Sequence, residues 1–482
     1  MMIETGGTVG SAQKISNWLN ESDAVRYQAY SYSYPHKTAY REFAQPVELK
    51  NIWAQEKRDA LFLYVHIPFC EMRCGFCNLF TTSNPEVSFE QEYLTALERQ
   101  AERVRAALGD AKFARMALGG GTPTYLDPQD LENLFDMVHR VFGIDPRNVP
   151  TSVETSPLTS EAAKLAILKE RGIERVSIGV QSFVEAEVMA VGRSQKNVEV
   201  ERALDLVNSF RFKILNIDLM YGLPGQTAES WSYSLNRTLD YSPKQIYLYP
   251  LYVRPLTGLE KMGTTDSDIR LELYRQAQKE LSEAGYQQVS MRMFERADTA
   301  DTASSGADVL NRFRSDELSR DEFQSGDATP GRPAYSCQED GMVGLGCGAR
   351  SYTSSVHYSM RYAVGQKPVR EILQNFIDCE TEAFGFADYG IRLSDDDQKR
   401  RFLIQSLLQM EGLSFAEYER RFQSSARVDF GSELSEFVEL GLLEITEGRM
   451  RLTSSGLEWS DRIGYEMYSP NILKLMSQHE AL

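Results

Sequence analysis

The sequence predicts an α/β fold whose parallel sheet is long enough to curl into a barrel or partial barrel. Short apolar runs alternate with segments of helical periodicity from residue 61 to residue 284. Strands that alternate with helices run parallel, because each helix carries the chain back to the same edge of the sheet. In such folds the chemistry gathers where strands end and the following loops begin. Functional side chains are therefore expected in those loops.

The predicted strands and helices follow one another with little interruption. Strands are predicted at residues 61–67, 113–118, 151–154, 175–180, 214–220 and 245–249. Helices are predicted near residues 89–108, 128–142, 160–171, 197–209, 228–240 and 266–284. Asp127 followed by Pro128 is typical of a helix start, and Gly143 is typical of a helix end. Thr159 is predicted to cap the next helix, which ends at Gly172.

Composition sets the predicted domain boundaries. Residues 1–60 are rich in tyrosine and are expected to form an N-terminal arm on a barrel of residues 61–295. Residues 296–334 are polar and lack apolar periodicity, which predicts a disordered insertion. Residues 335–392 are expected to return and pack on the barrel. Residues 393–482 read as helices followed by a two-stranded wing, so a small α+β, winged-helix-like lid module is predicted.

The bulk composition limits the class of protein. A chain of 482 residues, 42% of them hydrophobic, has ample material for a large domain and an appendage. The net charge of −17 argues against a nucleic-acid partner, whose phosphates attract clustered Lys and Arg. No apolar run approaches the roughly 20 residues of a membrane span, and the N-terminus has no signal-peptide pattern. We expect a cytoplasmic monomer with reduced thiols, since six cysteines in so long a chain do not indicate a disulfide framework.

Three cysteines stand together directly after the first predicted strand. Cys70, Cys74 and Cys77 have the spacing C-x3-C-x2-C, so their thiolates can converge on one small object. Three thiolates are one short of the four that close an ordinary iron–sulfur or zinc site, which leaves a position for another ligand. The alternative is a zinc site that takes His66 as its fourth ligand. His66 is otherwise expected to be a buried strand-end residue or a hydrogen-bonding neighbour of the metal site.

Polar and glycine residues also mark the ends of the other predicted strands. Because these ends share one rim of a barrel, the residues are expected to form a single site. In chain order they are Gly119–Thr122, Glu154, Gln181, Asp218 and Tyr249.

These motifs resemble the radical S-adenosylmethionine (SAM) superfamily, and within it the branch of oxygen-independent coproporphyrinogen III oxidase. The matching pieces are residues 64–77, 119–126, 177–182 and 218–227 together with the C-terminal module. The resemblance implies a partial (β/α)6-type, TIM-like barrel of the radical SAM kind. It also implies a 4Fe–4S cluster on Cys70, Cys74 and Cys77, with SAM on the fourth iron. A small-molecule substrate, either a tetrapyrrole or a natural-product intermediate, and a reductant such as flavodoxin or ferredoxin are further implied.

The resemblance also assigns ligand contacts by position. Tyr64, Gly120 and Glu154 match contacts to the cluster-bound SAM. Contacts to a second SAM, which is known in this branch, match Phe76, Gly121, Thr122, Gln181, Arg193 and Asp218. Arg350 occupies another matching position, but the family has an apolar residue there, so only a backbone contact carries over. The glycines remove Cβ atoms where a ligand must approach closely, although a plain tight turn is the alternative. Arg193 is expected either to pair with a ligand carboxylate or to be an ordinary surface arginine.

One position departs from the family pattern and leaves the reaction open. True coproporphyrinogen oxidases carry a fourth cysteine two residues after the third, where this chain has Leu79. The main prediction is an enzyme that cleaves SAM and abstracts hydrogen, related to porphyrin metabolism. The alternatives are a haem-binding chaperone of the same branch and a two-SAM radical methylase or cyclopropanase. His36 and Lys37 are candidate substrate contacts, and the arginines available for substrate carboxylates are Arg254, Arg292 and Arg361.

Overall fold

The structure is a computed structural model that describes residues 26–27, 31–253, 257, 268–297, 341–446 and 448–479. The predicted insertion at 296–334 lies outside the described residues from residue 298 onward. Most of the first half of the predicted arm and Arg254 also lie outside them. No helix within the described part of the chain is both long and apolar enough to cross a membrane.

Eighteen strands are present among the described residues, and most of the predicted ones keep their start. They are β1 (Arg41–Glu48), β2 (Leu61–Ile67), β3 (Phe69–Cys70), β4 (Thr82–Ser83), β5 (Phe113–Gly120), β6 (Thr151–Thr155), β7 (Arg175–Gln181), β8 (Ile214–Tyr221), β9 (Gln245–Pro250), β10 (Tyr286–Gln288), β11 (Met293–Arg296), β12 (Met342–Leu345), β13 (Arg350–Tyr352), β14 (Val356–Ser359), β15 (Phe386–Arg392), β16 (Leu413–Ser414), β17 (Leu443–Thr446) and β18 (Arg449–Leu452).

The described helices alternate with the central strands as predicted. They are α1 (Leu49–Trp53), α2 (Val87–Leu108), α3 (Pro128–Phe142), α4 (Ala162–Arg171), α5 (Glu185–Ala190), α6 (Asn197–Phe210), α7 (Ala228–Asp240), α8 (Arg270–Glu283), α9 (Gln366–Ile377), α10 (Asp395–Leu407), α11 (Phe415–Phe422), α12 (Ala426–Asp429), α13 (Gly431–Glu439), α14 (Ser454–Glu458), α15 (Ser460–Glu466) and α16 (Pro470–Ser477).

The central sheet confirms the predicted fold class. Its described strands lie in the order β1-β15-β14-β13-β12-β2-β5-β6-β7-β8-β9-β11-β10, and the run from β2 to β9 contains the six predicted strands, all parallel. The edges β1 and β10 do not pair with each other, so the described sheet is open, as a partial barrel requires. Parallel pairing brings the carboxyl ends of the six strands to one rim.

The continuation of the sheet beyond β2 was not predicted from the sequence. Strand β12 pairs in parallel with β2, and β13, β14 and β15 then add in antiparallel fashion. Strand β1, from the predicted arm, pairs with β15 and forms the outer edge. Antiparallel strands therefore extend the sheet on the side of β2, the strand after which the cysteine loop begins.

Most of the helix starts and ends predicted from local signals are confirmed. Asp127 accepts a hydrogen bond from the backbone N–H of Asp130 at 2.8 Å, and Gly143 ends the helix in the left-handed conformation at φ 69°. Thr159 is an exception, because α4 begins two residues later than that cap predicts and follows Glu161. The hydroxyl of Thr159 instead lies 2.7 Å from that of Thr124, within a buried hydroxyl cluster.

The buried apolar residues form two main cores. The larger core lies between the helices and the outer face of the barrel, where alternate residues of β2, from Leu61 to Ile67, are buried. The second core belongs to the C-terminal residues, and it also takes in Tyr34, Ala39 and Tyr40. The described end of the N-terminal arm thus packs on the C-terminal module, and the Tyr34 hydroxyl donates a hydrogen bond to Asp397 at 2.8 Å.

Candidate functional site

The three cysteines lie on the loop that follows β2, at the rim of the barrel. Cys70 ends the short strand β3, which pairs with β4, and the backbone N–H of Cys77 donates to the carbonyl of Cys74 at 3.1 Å. The N–H of Gly75 donates to the carbonyl of Val191 at 2.8 Å, which ties the middle of the loop to the segment after α5. All three cysteines are free thiols of intermediate exposure. The loop therefore presents them together on an anchored backbone.

A hydrogen-bonding group lies near each of the three sulfurs. Arg193 Nη1 is 3.3 Å from Cys74 Sγ, and the hydroxyl of Thr122 is 3.7 Å from Cys70 Sγ. The hydroxyl of Thr81 lies 4.0 Å from Cys77 Sγ. Such groups stabilise thiolate ligands and tune iron–sulfur sites. Three thiols with these neighbours fit an iron–sulfur centre. Burial raises the pKa of the Cys70 and Cys77 thiols in the free protein, so a bound cation would be needed to hold them as thiolates.

The hydrogen bonds of His66 argue against the zinc alternative, in which its ring would be the fourth ligand. Within the described residues no three His, Cys, Asp or Glu side chains are close enough to hold a single ion. A cubane cluster does not need such convergence, because each cysteine binds a different iron atom. His66 Nε2 donates to the carbonyl of Phe80 at 2.9 Å, and Nδ1 lies 3.4 Å from the Tyr64 hydroxyl. Burial lowers the pKa of His66 to about 4, so its ring is neutral and hydrogen-bonded on both sides.

The glycine run after β5 packs directly against the cysteine loop. Gly120 has φ 113°, and its N–H donates to a Glu154 carboxylate oxygen at 3.2 Å. A Cβ on Gly121 would lie 2.4 Å from the carbonyl oxygen of Phe69, one residue before Cys70. The tight-turn interpretation of these glycines is confirmed, and the close approach of a ligand stays a prediction. The turn is tight, and it holds a backbone segment next to the cysteines.

Two carboxyl groups, Glu154 on β6 and Asp218 on β8, lie on strands separated by β7. Asp218 accepts hydrogen bonds from the side chains of Asn216 at 2.7 Å and Ser177 at 3.4 Å. Glu154 lies deep among the strands yet retains solvent exposure through the open interior. Loss of surrounding water raises the pKa of Glu154 to about 7, and the nearby Asp218 carboxylate adds to the rise. Burial also raises the pKa of Tyr64, with Glu154 contributing. The charge of Glu154 thus influences Tyr64, and that of Asp218 influences Glu154, while contact of the three residues with a ligand stays a prediction.

The alternative of an ordinary surface arginine is wrong for Arg193, because the residue is only 8% exposed. Its Nη2 donates to the carbonyl of Gly179 at 2.7 Å, its Nε donates to Gln195 at 2.8 Å, and its Nη1 lies 3.3 Å from Cys74 Sγ. These contacts connect β7 to the cysteine loop. Each Nη nitrogen carries two hydrogens and keeps one beyond these contacts, so the pairing of Arg193 with a ligand carboxylate stays a prediction.

The resemblance gave no position in the fold for Gln181 and Phe76, and the structure places both. Gln181 has φ 70° at an irregularity in the pairing of β7 with β8, a conformation that costs a non-glycine residue energy and often marks a functional site. Phe76 packs with a small apolar cluster at the ends of β8 and β9 that includes Met220 and Leu251. Both residues therefore lie at the rim, on the side of the barrel next to Arg193.

Some residues of this region were missed by sequence reasoning. Glu71, next to Cys70, accepts a hydrogen bond from Ser156 at 2.6 Å and so joins the cysteine loop to β6. Arg175 is buried and donates to Gln245 at 2.8 Å and to Ser152 at 3.0 Å, beneath the two carboxyl groups. Glu71 could have been noticed from its place in the motif, but the position of Arg175 at a strand start gave no signal.

The remaining candidates are dispersed. Arg292 is buried against Asp461 of α15, and Arg361 is exposed and pairs with Glu42. His36 caps a short turn, where its Nδ1 lies 2.8 Å from the Thr38 hydroxyl. Lys37, by contrast, reaches the cysteine loop and donates to the carbonyl of Asn78 at 3.2 Å.

Arg350 and Lys37 line one cavity beside the cysteine loop. The cavity has a volume of about 250 Å³ and is bordered by Tyr64 of the barrel, Leu79 of the loop and Tyr362 of the return segment. The candidate site therefore has two compartments, the carboxylate-lined barrel interior and this cavity, with the cysteines between them.

Comparison with known proteins agrees with this geometry. Residues 64–237 match the model of the Radical SAM superfamily, and residues 393–459 match that of the HemN C-terminal domain. The chain therefore contains a radical SAM domain and a HemN-type C-terminal domain. The radical SAM family implies a 4Fe–4S cluster and SAM, and membership in it supports an enzymatic role.

Relatives of the radical SAM protein carry two different functional names. The oxygen-independent coproporphyrinogen III oxidase of Salmonella typhimurium is 28% identical over 458 residues, covering 90% of this chain and 92% of the relative. The heme chaperone HemW of Bacillus subtilis is 28% identical over 398 residues, covering 82% of this chain and 95% of the relative. The solved coproporphyrinogen III oxidase (HemN) from Escherichia coli is similar with a TM-score of 0.70 and 25% identity, covering 89% of this chain and 96% of that one.

Proposed function

We propose that the chain is a radical SAM enzyme that abstracts hydrogen from an organic substrate of porphyrin or related metabolism. Cys70, Cys74 and Cys77 would hold a 4Fe–4S cluster, and the loop that carries them supports this best, since it sets a hydrogen-bonding group beside each sulfur. When bound, the cluster would pass one electron to the SAM sulfonium, so that the carbon–sulfur bond breaks into methionine and a 5′-deoxyadenosyl radical, which becomes 5′-deoxyadenosine on taking hydrogen.

In this proposal the protein's own residues bind and orient SAM. Tyr64, Gly120 and Glu154 would contact the SAM at the cluster, with the Glu154 carboxylate accepting from a ligand hydroxyl or ammonium group. In this proposal a second SAM would contact a set of residues along the same rim, which extends to Asp218. These are Phe76, Gly121, Thr122, Gln181, Arg193 and Asp218, with a backbone contact from Arg350. Arg193 would hold the loop in place, because its hydrogen bonds already connect Gly179 with Cys74.

The first experiment tests the cluster and the chemistry together. Anaerobically reconstituted protein is expected to show the electron paramagnetic resonance of a reduced 4Fe–4S cluster, to change that signal on adding SAM, and to release 5′-deoxyadenosine. Cys74→Ala is expected to lose most bound iron and all SAM cleavage, because it removes one of three thiolates. Cys379→Ala is the matched control, since the Cys379 thiol donates to the carbonyl of its neighbour Glu380 and the residue lies after α9, outside the cysteine loop. If Cys74→Ala kept its cluster and full SAM cleavage, the assignment would be wrong.

The second experiment addresses the substrate. Release of 5′-deoxyadenosine is measured with and without coproporphyrinogen III, and a stimulation together with loss of substrate carboxyl groups would identify the oxidase reaction. Leu79, in place of the family's fourth cysteine, is the reason to treat this reaction as open. A two-SAM methylase or cyclopropanase would instead leave the carboxyl groups intact and add carbon to its substrate.

A haem-delivery role is the second candidate, because one of the similar proteins is a heme chaperone. Titration of the reconstituted protein with haem distinguishes it. A shift of the Soret band at micromolar haem with no 5′-deoxyadenosine release would favour delivery, and the absence of any shift would remove this candidate.

A further inference from the structure

The cavity beside the cysteine loop has walls from three parts of the chain. Tyr64 comes from β2, Leu79 follows the third cysteine, and Tyr352 and Tyr362 come from the return segment. Leu79 is 49% exposed, so a large apolar side chain stands at the cavity rather than in the core. A volume of about 250 Å³ is just below the roughly 300–1,000 Å³ of ordinary small-molecule sites. The cavity thus suits part of a ligand, such as one ring with its side arm.

Arg350 brings a buried positive charge to this cavity without an acidic partner. Its Nη1 has no exposed surface and no hydrogen-bond partner among the described residues. The guanidinium lies 5.5 Å from the centre of the Tyr352 ring, and within the described residues it takes part in no ion pair. A buried charge without a counter-ion is strongly unfavourable, so a donor left open in this way indicates a missing anion.

The other lining groups also favour an anion. Lys37 lies over the Tyr362 ring, 3.3 Å from its centre, and none of the described lining residues is acidic. His66, which also lines the cavity, is held by its bonds to Phe80 and Tyr64 and does not supply a negative group. Among the described lining residues, the positive charge of Arg350 therefore meets no carboxylate.

The residues of the cavity wall indicate which kind of molecule bears the anionic group. Tyrosine rings and Leu79 present flat, apolar surfaces that pack against a planar ring. A guanidinium edge suits a carboxylate, which accepts two parallel hydrogen bonds.

We propose that Arg350 binds a carboxylate of the substrate, with the tyrosine walls holding the planar ring that bears it. This deepens the proposed function, because it places one acidic arm of the substrate next to the cysteine loop. Arg350 would thus determine specificity through its side chain, beyond the backbone contact that the family resemblance gives to this position.

The test compares an acid with its neutral counterpart on the reconstituted full chain. Indole-3-propionate and indole-3-propionamide have the same ring and nearly the same shape, and their binding is measured by ligand-observed NMR. The wild type is expected to prefer the acid by about tenfold, and Arg350→Met is expected to abolish the preference. Arg361→Met is the matched control, since Arg361 is exposed and pairs with Glu42, and it should keep the preference. Equal binding of acid and amide by the wild type, or a preference that survives in Arg350→Met, would overturn the proposal.

A second variant covers the case in which Arg350→Met fails to fold. Leu79→Glu changes a half-exposed side chain and places a negative charge at the cavity. It should weaken acid binding several-fold while amide binding changes little, and unchanged acid binding in this variant would count against the site. SAM cleavage without substrate separates the two proposals. A wild type that prefers the acid but never cleaves SAM contradicts the proposed function alone, whereas normal SAM cleavage without any acid preference contradicts only the role of Arg350.

Discussion

At the scale of single residues, the site is made of groups whose charge state depends on their neighbours. The Cys70 and Cys77 thiols, the Tyr64 phenol and the Glu154 carboxyl all have a raised pKa, because the protein around them replaces water. Each is therefore neutral more often than the same group in water. A bound cationic group would reverse this for Glu154 and draw it to the charged form.

The raised pKa of Glu154 predicts that SAM binding depends on pH. With a pKa of about 7 in the free protein, it is mostly protonated at pH 6 and mostly charged at pH 8. If the charged form contacts SAM, the affinity should rise about tenfold from pH 6 to pH 8 and level off above that. Glu154→Gln should bind weakly at every pH. Anaerobic calorimetry of the reconstituted protein measures both, and equal affinity at pH 6 and pH 8 in the wild type would contradict the assignment.

At the scale of elements, the rim is assembled by contacts between loops. The cysteine loop meets the segment after α5 through Gly75 and Val191, and it meets the glycine run through Phe69 and Gly121. The strands and helices themselves were predictable, because their periodicity and caps are local. Thr159 shows the limit of that reasoning, since its hydroxyl found a partner in Thr124, which is distant in sequence. Tertiary hydrogen bonds outcompeted a local cap.

Gly75→Ala should loosen the cysteine loop. A Cβ at this position would lie 2.8 Å from the Val191 carbonyl oxygen, a clash with backbone that only a shift of the loop relieves. We expect lower iron content after reconstitution and a loss of roughly 1–3 kcal/mol in the free energy of unfolding. Gly431→Ala is the control, because a Cβ there meets no atom within 4 Å, and its effect should stay within about 0.5 kcal/mol. Iron assay and urea unfolding check both, and full iron loading in Gly75→Ala would contradict the expected role of this contact.

At the scale of the whole molecule, the C-terminal module is joined to the barrel by a buried ion pair. Arg292, beside the hairpin of β10 and β11, pairs with Asp461 of α15, and their side chains are 4% and 2% exposed. Tyr252 shares this contact by donating to Asp461 at 2.5 Å. The N-terminal segment closes the same region, since Ser31 donates to the backbone carbonyl of Asp461 at 2.8 Å. The module, the arm and the barrel therefore meet at one polar contact.

Asp461→Asn should destabilise the protein strongly. It leaves the Arg292 charge buried without its counter-ion, and such losses typically reach about 3–5 kcal/mol. The double variant Arg292→Met with Asp461→Leu should recover much of that loss, because it removes both charges. Arg140→Met, in an exposed pair with side chains 54% and 48% exposed, should change stability by about 1 kcal/mol or less. Urea unfolding ranks the variants, and an Asp461→Asn loss as small as that of Arg140→Met would exclude a stabilising role for the pair.

The sequence by itself determined the strands, the helices and the cysteine motif, because these depend on spacing and periodicity within a few residues. It placed the strand-end residues on one rim, since parallel strands must end there. Only the tertiary structure decided which groups the long side chains contact. Arg193 reaches Cys74 across 119 positions of sequence, and the Nη1 of Arg350 has no hydrogen-bond partner among the described residues. Such contacts depend on how distant segments pack, and no local pattern encodes them.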